Sequence, residues 1–144
     1  MEFATKIEEA GADALEINIL ALQTDVQYTY GTFEQRQHRH SEPHQERRSR
    51  IPVIMKLGDN LTNPIALIDQ LYANGAAAVV LFNRFYQPDI NIEKMIQVSG
   101  NVFSNEADLS KALRWIGIAS AAVNKLDYAA SGGIHLPKAL SRQY

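Results

Sequence analysis

Four short apolar runs recur along the chain, at residues 14–19, 51–57, 76–82 and 127–130. At or just past its carboxyl end, each delivers a polar side chain or a glycine pair: Asn18, Lys56, Asn83 and Gly132-Gly133. Runs of this length bounded by turn residues have the size of buried strands. Helical signals alternate with them. Residues 6–10 read as the last turn of a helix stopped by Gly11 in a left-handed conformation. A second helix starts at Thr62 or Asn63, with Pro64 suited to the first helical position. Ile65, Ile68, Leu71 and Tyr72 follow at three- and four-residue spacing, and Asn74-Gly75 ends it. A third covers residues 109–123, with Leu113, Ile116 and Val123 as core contacts and Trp115 partly buried, and Pro137 opens another. Strands alternating with helices predict an α/β fold with a parallel sheet. The run at 76–82 is apolar throughout, as expected of a parallel strand covered on both faces. Residues 84–107, with Pro88, Gly100 and several asparagines, read as a long irregular connection, a kind that tends to be functional.

One segment breaks the pattern. Residues 34–50 lack any apolar side chain but hold five of the eight arginines and three of the four histidines. A stretch that buries so little surface cannot offset its ordering entropy, so a solvated loop or a poorly packed helix is expected there.

Composition adds bounds rather than chemistry. With 144 residues the chain suits one domain and one modest core. A formal charge of −2 gives no electrostatic reason to expect nucleic acid. No apolar stretch approaches the roughly 20 residues of a membrane span, so no membrane partner is expected. The absence of cysteine excludes disulfides and thiolate catalysis and favours a cytoplasmic location. Residues 1–10 lack the apolar core of a secretory signal. Because the chain opens on the tail of a helix that feeds a strand, part of the architecture is expected upstream.

The strand-end residues carry the candidate chemistry, since ligands of parallel α/β sheets lie beside the carboxyl edge. Lys56, directly after Val-Ile-Met, must reach solvent or an anion, because an unpaired buried ammonium is costly. It is either a cation beside a ligand's negative charge or a rim lysine paired with Asp59 or Glu16. Gly132-Gly133, between a strand and a helix start, can cradle a phosphate on backbone amides, although such a pair is also an ordinary turn. Asn18 and Asn83 offer amides suited to a planar heterocycle bearing carbonyl and N–H groups, or each caps its own loop. His38, His40 and His44 have metal-ligand residue types, but with no packed scaffold around them a polar loop is the expected reading and no metal site is assigned.

The same residues carry a family likeness. Glu-Ile-Asn-Ile at 16–19, Ile-Pro-Val-Ile-Met-Lys-Leu at 51–57, Val-Leu-Phe-Asn-Arg at 80–84 and Ser-Gly-Gly-Ile at 131–134 together resemble the second half of the dihydroorotate dehydrogenase family. The likeness spans most of the chain except residues 34–50 and the last few. It implies a partial TIM (β/α)8 barrel of about four parallel βα units, corresponding to strands four to seven, with FMN at the carboxyl face. By that likeness Lys56 lies beside the flavin ring, Gly132 and Gly133 hold the FMN phosphate, and Asn18 and Asn83 hydrogen-bond a pyrimidine substrate. The family's usual base, a cysteine or serine three residues after the first asparagine, is here Ala21, which takes no proton. Thr24 is nearby but has no identified activating neighbour. The polar run at 34–50 and the ending at 135–144 fall where the family has amphipathic helix, which suggests a truncated or altered gene product.

Three functions follow as expectations. The first is an FMN-dependent oxidoreductase of pyrimidine biosynthesis that oxidises dihydroorotate or a related dihydropyrimidine. The second is a flavin- or phosphate-binding module without catalysis. The third is an inactive fragment whose open barrel edges invite homo-oligomerisation.

Overall fold

A computed structural model of the chain describes residues 2–19, 50–85 and 87–135. The polar run at 34–49, with its three histidines, lies outside the described residues. So do Ala21, Thr24 and the helix expected from Pro137.

Helix α1 (Glu2–Glu9) leads through Gly11, at φ 87°, into strand β1 (Leu15–Ile19). Strand β2 (Val53–Leu57), helix α2 (Pro64–Ala73) and strand β3 (Ala78–Leu81) follow. Helix α3 (Asp108–Ala122) then leads to strand β6 (Asp127–Ala130). The expected parallel α/β arrangement is present, with β1, β2, β3 and β6 side by side in chain order and every pair parallel. The first three strands are shorter at their amino ends than the apolar runs that mark them. Pro52 has no N–H to add to the ladder, and Ala76 and Ala77 serve as the link out of α2.

Register sets the two faces of the sheet. Ile19, Leu57, Leu81 and Ala130 form one row across the four strands, and Asn18, Lys56, Val80 and Ala129 form the next. Successive residues of a strand point to opposite faces. On the first face Met55, Leu57, Val79 and Leu81 are almost wholly buried against Leu67, Ile68 and Leu71 of α2 and Ala119 and Val123 near the end of α3. Crossovers between parallel strands are nearly always right-handed, so strands added in one direction carry their helices on one side. The expectation that the third run is buried on both faces holds for β3, whose Val79, Val80 and Leu81 are all buried. Among the described residues the opposite face leaves Glu16, Asn18, Asp127 and Ala129 exposed; Val80, central in the sheet, is buried there.

Helix α2 begins where expected. The Asn63 side-chain oxygen accepts from the Ala66 amide at 3.1 Å, and Pro64 takes the first position, where a missing N–H costs nothing. Its buried stripe is Pro64, Leu67, Ile68 and Leu71. Tyr72, expected in the core, is 37% exposed, because it falls one step past the margin of that stripe. At the far end of α3 the Tyr128 hydroxyl donates to the Ala119 and Val123 carbonyls at 3.1 and 2.8 Å, tying helix to strand. Burial pushes the Tyr128 pKa above the ordinary tyrosine value.

The connection expected to be irregular contains an antiparallel hairpin, β4 (Pro88–Asn91) and β5 (Ile96–Ser99). Its composition hid it, since Asp89, Asn91, Gln97 and Ser99 dilute the apolar alternation over only four residues per strand. Arg84 anchors the return of this hairpin, donating to the Asn101 and Val102 carbonyls at 2.8 Å each. A charged donor on two carbonyls at an exposed site is worth about 1 kcal/mol. Arg84→Ala is therefore expected to speed amide hydrogen exchange in β4 and β5 roughly fivefold, with α2 unchanged. Equal exchange in both proteins would show that the anchor is dispensable.

Candidate functional site at the carboxyl edge of the sheet

Beyond β3 the chain passes through a cis Leu81–Phe82 peptide bond to Asn83. The Asn83 amide still pairs with the sheet, donating to the Leu57 carbonyl at 2.7 Å, which holds the residue against the edge and leaves it only 8% exposed. Its side-chain Nδ2 donates to Asn18 Oδ1 and lies 3.5 Å from the Lys56 carbonyl oxygen. One buried amide thus spans three strands. The two asparagines pair with each other rather than each capping its own loop. A buried amide without a partner would be costly, so the pairing itself stabilises the edge.

Lys56 sits beside Asn18 in register, with its ammonium 3.3 Å from Glu16 Oε1. Of the two partners weighed for it, Glu16 is the one present. Asp59 instead takes Lys111 of α3, Nζ to Oδ2 at 2.5 Å, and that ammonium lies 5.8 Å from the centre of the Phe82 ring. The Lys56 side chain is 24% exposed and the Glu16 side chain 44%. Water screens such a pair, which is worth at most about 1 kcal/mol and is readily exchanged for another anion.

Gly132 and Gly133 follow β6 at the same edge. The Ser131 amide extends the ladder to the Leu81 carbonyl at 2.7 Å, after which both glycines adopt positive φ, 92° and 73°. The two differ in surroundings. A Cβ on Gly133 would lie 2.4 Å from the Leu109 nitrogen and 2.9 Å from the Asn105 carbonyl oxygen, so the turn packs on the first turn of α3. A Cβ on Gly132 would meet only Ser104 Cβ, at 3.9 Å. The Gly133 N–H donates to Ser104 Oγ at 3.0 Å, and that oxygen is 3.5 Å from His135 Nε2.

Sequence reasoning missed Ser104 and His135 as neighbours of the glycine turn. Ser104 carries no local motif, and only the fold brings it to a turn 29 residues away. The structure brings Asn83 onto Asn18 and near the Lys56 main-chain carbonyl, with the Lys56 side chain turned to Glu16, and it sets the glycine pair along the same edge beyond β6, next to β3. Among the described residues no group of His, Cys, Asp or Glu is arranged to hold a metal ion, and no helix is long and apolar enough to cross a membrane.

Groups of kinds that bind anions stand along this edge. Gly132 has open space where a side chain would be, and the Ser104 hydroxyl beside it accepts from the Gly133 amide and also lies within reach of His135 Nε2. Lys56 supplies a partly desolvated positive charge, and the Asn18–Asn83 pair lies beside it. No protein-family model matches this chain, and no curated protein matches it.

Proposed function

We propose that this chain is an FMN-binding α/β domain of the dihydroorotate dehydrogenase type, whose reaction is oxidation of dihydroorotate or a related dihydropyrimidine. The observation that carries the reading is the meeting of Asn18, Lys56 and Asn83, from three consecutive strands, on the carboxyl edge that also carries the Gly132-Gly133 turn. The finer architecture, strands four to seven of a (β/α)8 barrel, is supported by the unbroken strand order and by the placing of α2 and α3 on the same side of the sheet. In that arrangement the face bearing Glu16, Asn18 and Lys56 is the barrel interior.

Bound FMN supplies the hydride-accepting chemistry. The protein's own residues do the positioning. Lys56 places positive charge where negative charge develops on the ligand ring, exchanging Glu16 for it. Gly132 lets the backbone approach the phosphate, and the Ser104 hydroxyl adds a donor. Asn18 and Asn83 present amides to a pyrimidine once one of them turns from the other. A second reading, flavin binding without turnover, is favoured by Ala21, because an alanine at the family's base position removes no proton.

Titrating FMN into the purified chain is expected to shift the flavin absorbance and quench its fluorescence, with a Kd in the range of about 1–100 μM. Riboflavin, lacking the phosphate, is expected to bind at least about tenfold more weakly. A flavin spectrum unchanged by excess protein would end the reading. Bound flavin that dihydroorotate does not bleach would select the binding module over the enzyme.

A further inference from the structure

The glycine turn after β6 brings a second side chain to Ser104. His135, exposed just past the turn, has its Nε2 3.5 Å from the oxygen of Ser104, itself half-buried. The Gly133 N–H donates to that same oxygen at 3.0 Å. At the neighbouring Gly132 a side chain would meet only Ser104 Cβ, at 3.9 Å. A hydroxyl, an imidazole and open space over a glycine backbone thus occur at one turn.

The proton of Ser104 decides what this cluster can do. A serine oxygen has two acceptor positions and one proton, and the Gly133 amide fills one of the acceptor positions. Beside a neutral His135 whose Nε2 is bare, that proton goes to the ring and is lost to any ligand. A protonated imidazole carries hydrogen on both nitrogens, so Nε2 becomes a donor, fills the second acceptor position and leaves the hydroxyl proton to point elsewhere. The new charge and the turned hydroxyl then favour the same occupant, an oxyanion in the space beside Gly132.

We propose that Ser104 and His135 form the charge-sensing part of this site, taking the terminal phosphate of a phosphate monoester and holding it more tightly when the imidazole is protonated. The identity of that ester as FMN rests on the flavin reading; the pair itself does not. The other charged or titratable groups of the neighbouring segments have their own engagements or lie apart. Arg84 donates to the Asn101 and Val102 carbonyls, Lys111 of α3 is paired with Asp59, and the Asp108 carboxylate accepts from the Asn105 amide at 2.9 Å. Glu106 stands on the connection before α3, Asp127 is at the opposite end of β6, and the Tyr128 hydroxyl is bonded to α3 carbonyls. Of these side-chain types and histidine, only histidine ordinarily changes charge between about pH 6 and 8.

Fluorescence titrations with FMN and with riboflavin, at about pH 6 and about pH 8, read the effect. The imidazole contributes where it is charged, and its contribution fades as the proton leaves. The second proton of a phosphate monoester leaves near about pH 6, which by itself makes FMN bind no more weakly at the higher pH. FMN affinity of the wild type is therefore expected to fall about fivefold from the lower to the higher pH, with no fall in His135→Gln and none for riboflavin in either protein. His135→Lys, which keeps its charge throughout, is expected to abolish the fall as well. Proton NMR supplies a second readout. Of the chain's four histidines, the one whose signal is missing from His135→Gln is expected to titrate at higher pH with FMN or inorganic phosphate present, and not with riboflavin. A fall in FMN affinity shared by His135→Gln, or a His135 signal moved by neither FMN nor phosphate, would overturn the inference. A signal moved by phosphate in a chain that binds neither flavin would uphold the pair and end the flavin reading instead.

Discussion

Replacing Gly133 with alanine is expected to lower the unfolding free energy by about 3 kcal/mol, roughly a 10 °C fall in Tm. Two costs combine. A side chain at φ 73° pays about 1–2 kcal/mol for the left-handed backbone. The new methyl group would also lie 2.4 Å from the Leu109 nitrogen and 2.9 Å from the Asn105 carbonyl oxygen, both main-chain atoms that cannot swing aside. Gly132→Ala shares the first cost at φ 92° but meets only Ser104 Cβ at ordinary contact distance, so it is expected to cost about 1 kcal/mol in stability. Its larger effect falls on the ligand, where the added methyl occupies the space proposed for a phosphate. Thermal melts of the two variants check the ordering. Equal losses would mean that the packing of the turn on α3 does not limit its stability.

Lys56→Ala is expected to weaken FMN binding roughly 30-fold, or about 2 kcal/mol, the range for losing a charged hydrogen-bonding group from a partly desolvated site. Stability should change by less than about 1 kcal/mol, because the Glu16 carboxylate left behind is 44% exposed and rehydrates. If the ammonium faces the ring rather than the phosphate, riboflavin binding falls by a similar factor. Fluorescence titration with both ligands separates the cases. A loss confined to FMN would move Lys56 to the phosphate, and no loss with either would leave Glu16 as its only partner.

The helices of this chain were legible because their signals are local. Asn63 and Pro64 at one end and Asn74-Gly75 at the other bracket α2, and the three- and four-residue spacing of its apolar positions marks the buried side. Tyr72 was misplaced for a reason of the same kind. Spacing alone cannot tell the centre of a stripe from its margin, and the width of the covered face depends on the partner. The hairpin at 88–99 was lost because four-residue strands with mixed polarity carry almost no periodic signal, and their stability comes from pairing and from Arg84.

The candidate site was half legible. A polar residue after an apolar run is visible in one dimension, which is why Asn18, Lys56, Asn83 and Gly132-Gly133 stood out. Their partners were not visible. Glu16 rather than Asp59 holds Lys56 because side chains two apart on neighbouring parallel strands share a face, whereas Asp59, past the strand end, turns toward Lys111 on the helix side. Ser104 and His135 gave no signal, since neither belongs to a motif.

From its residues alone this chain determined the four strands of its parallel sheet, the helices that alternate with them, and which polar groups stand at the strand ends. These depend on backbone propensity, capping and burial period, all set within a few residues. The tertiary structure alone decided that α2 and α3 cover one face, that Asn83 reaches Asn18 across 65 positions, and that the glycine turn packs on the start of α3. Those outcomes depend on strand order and register, and non-local pairing of that kind is chosen by the free energy of the whole sheet rather than by any one segment.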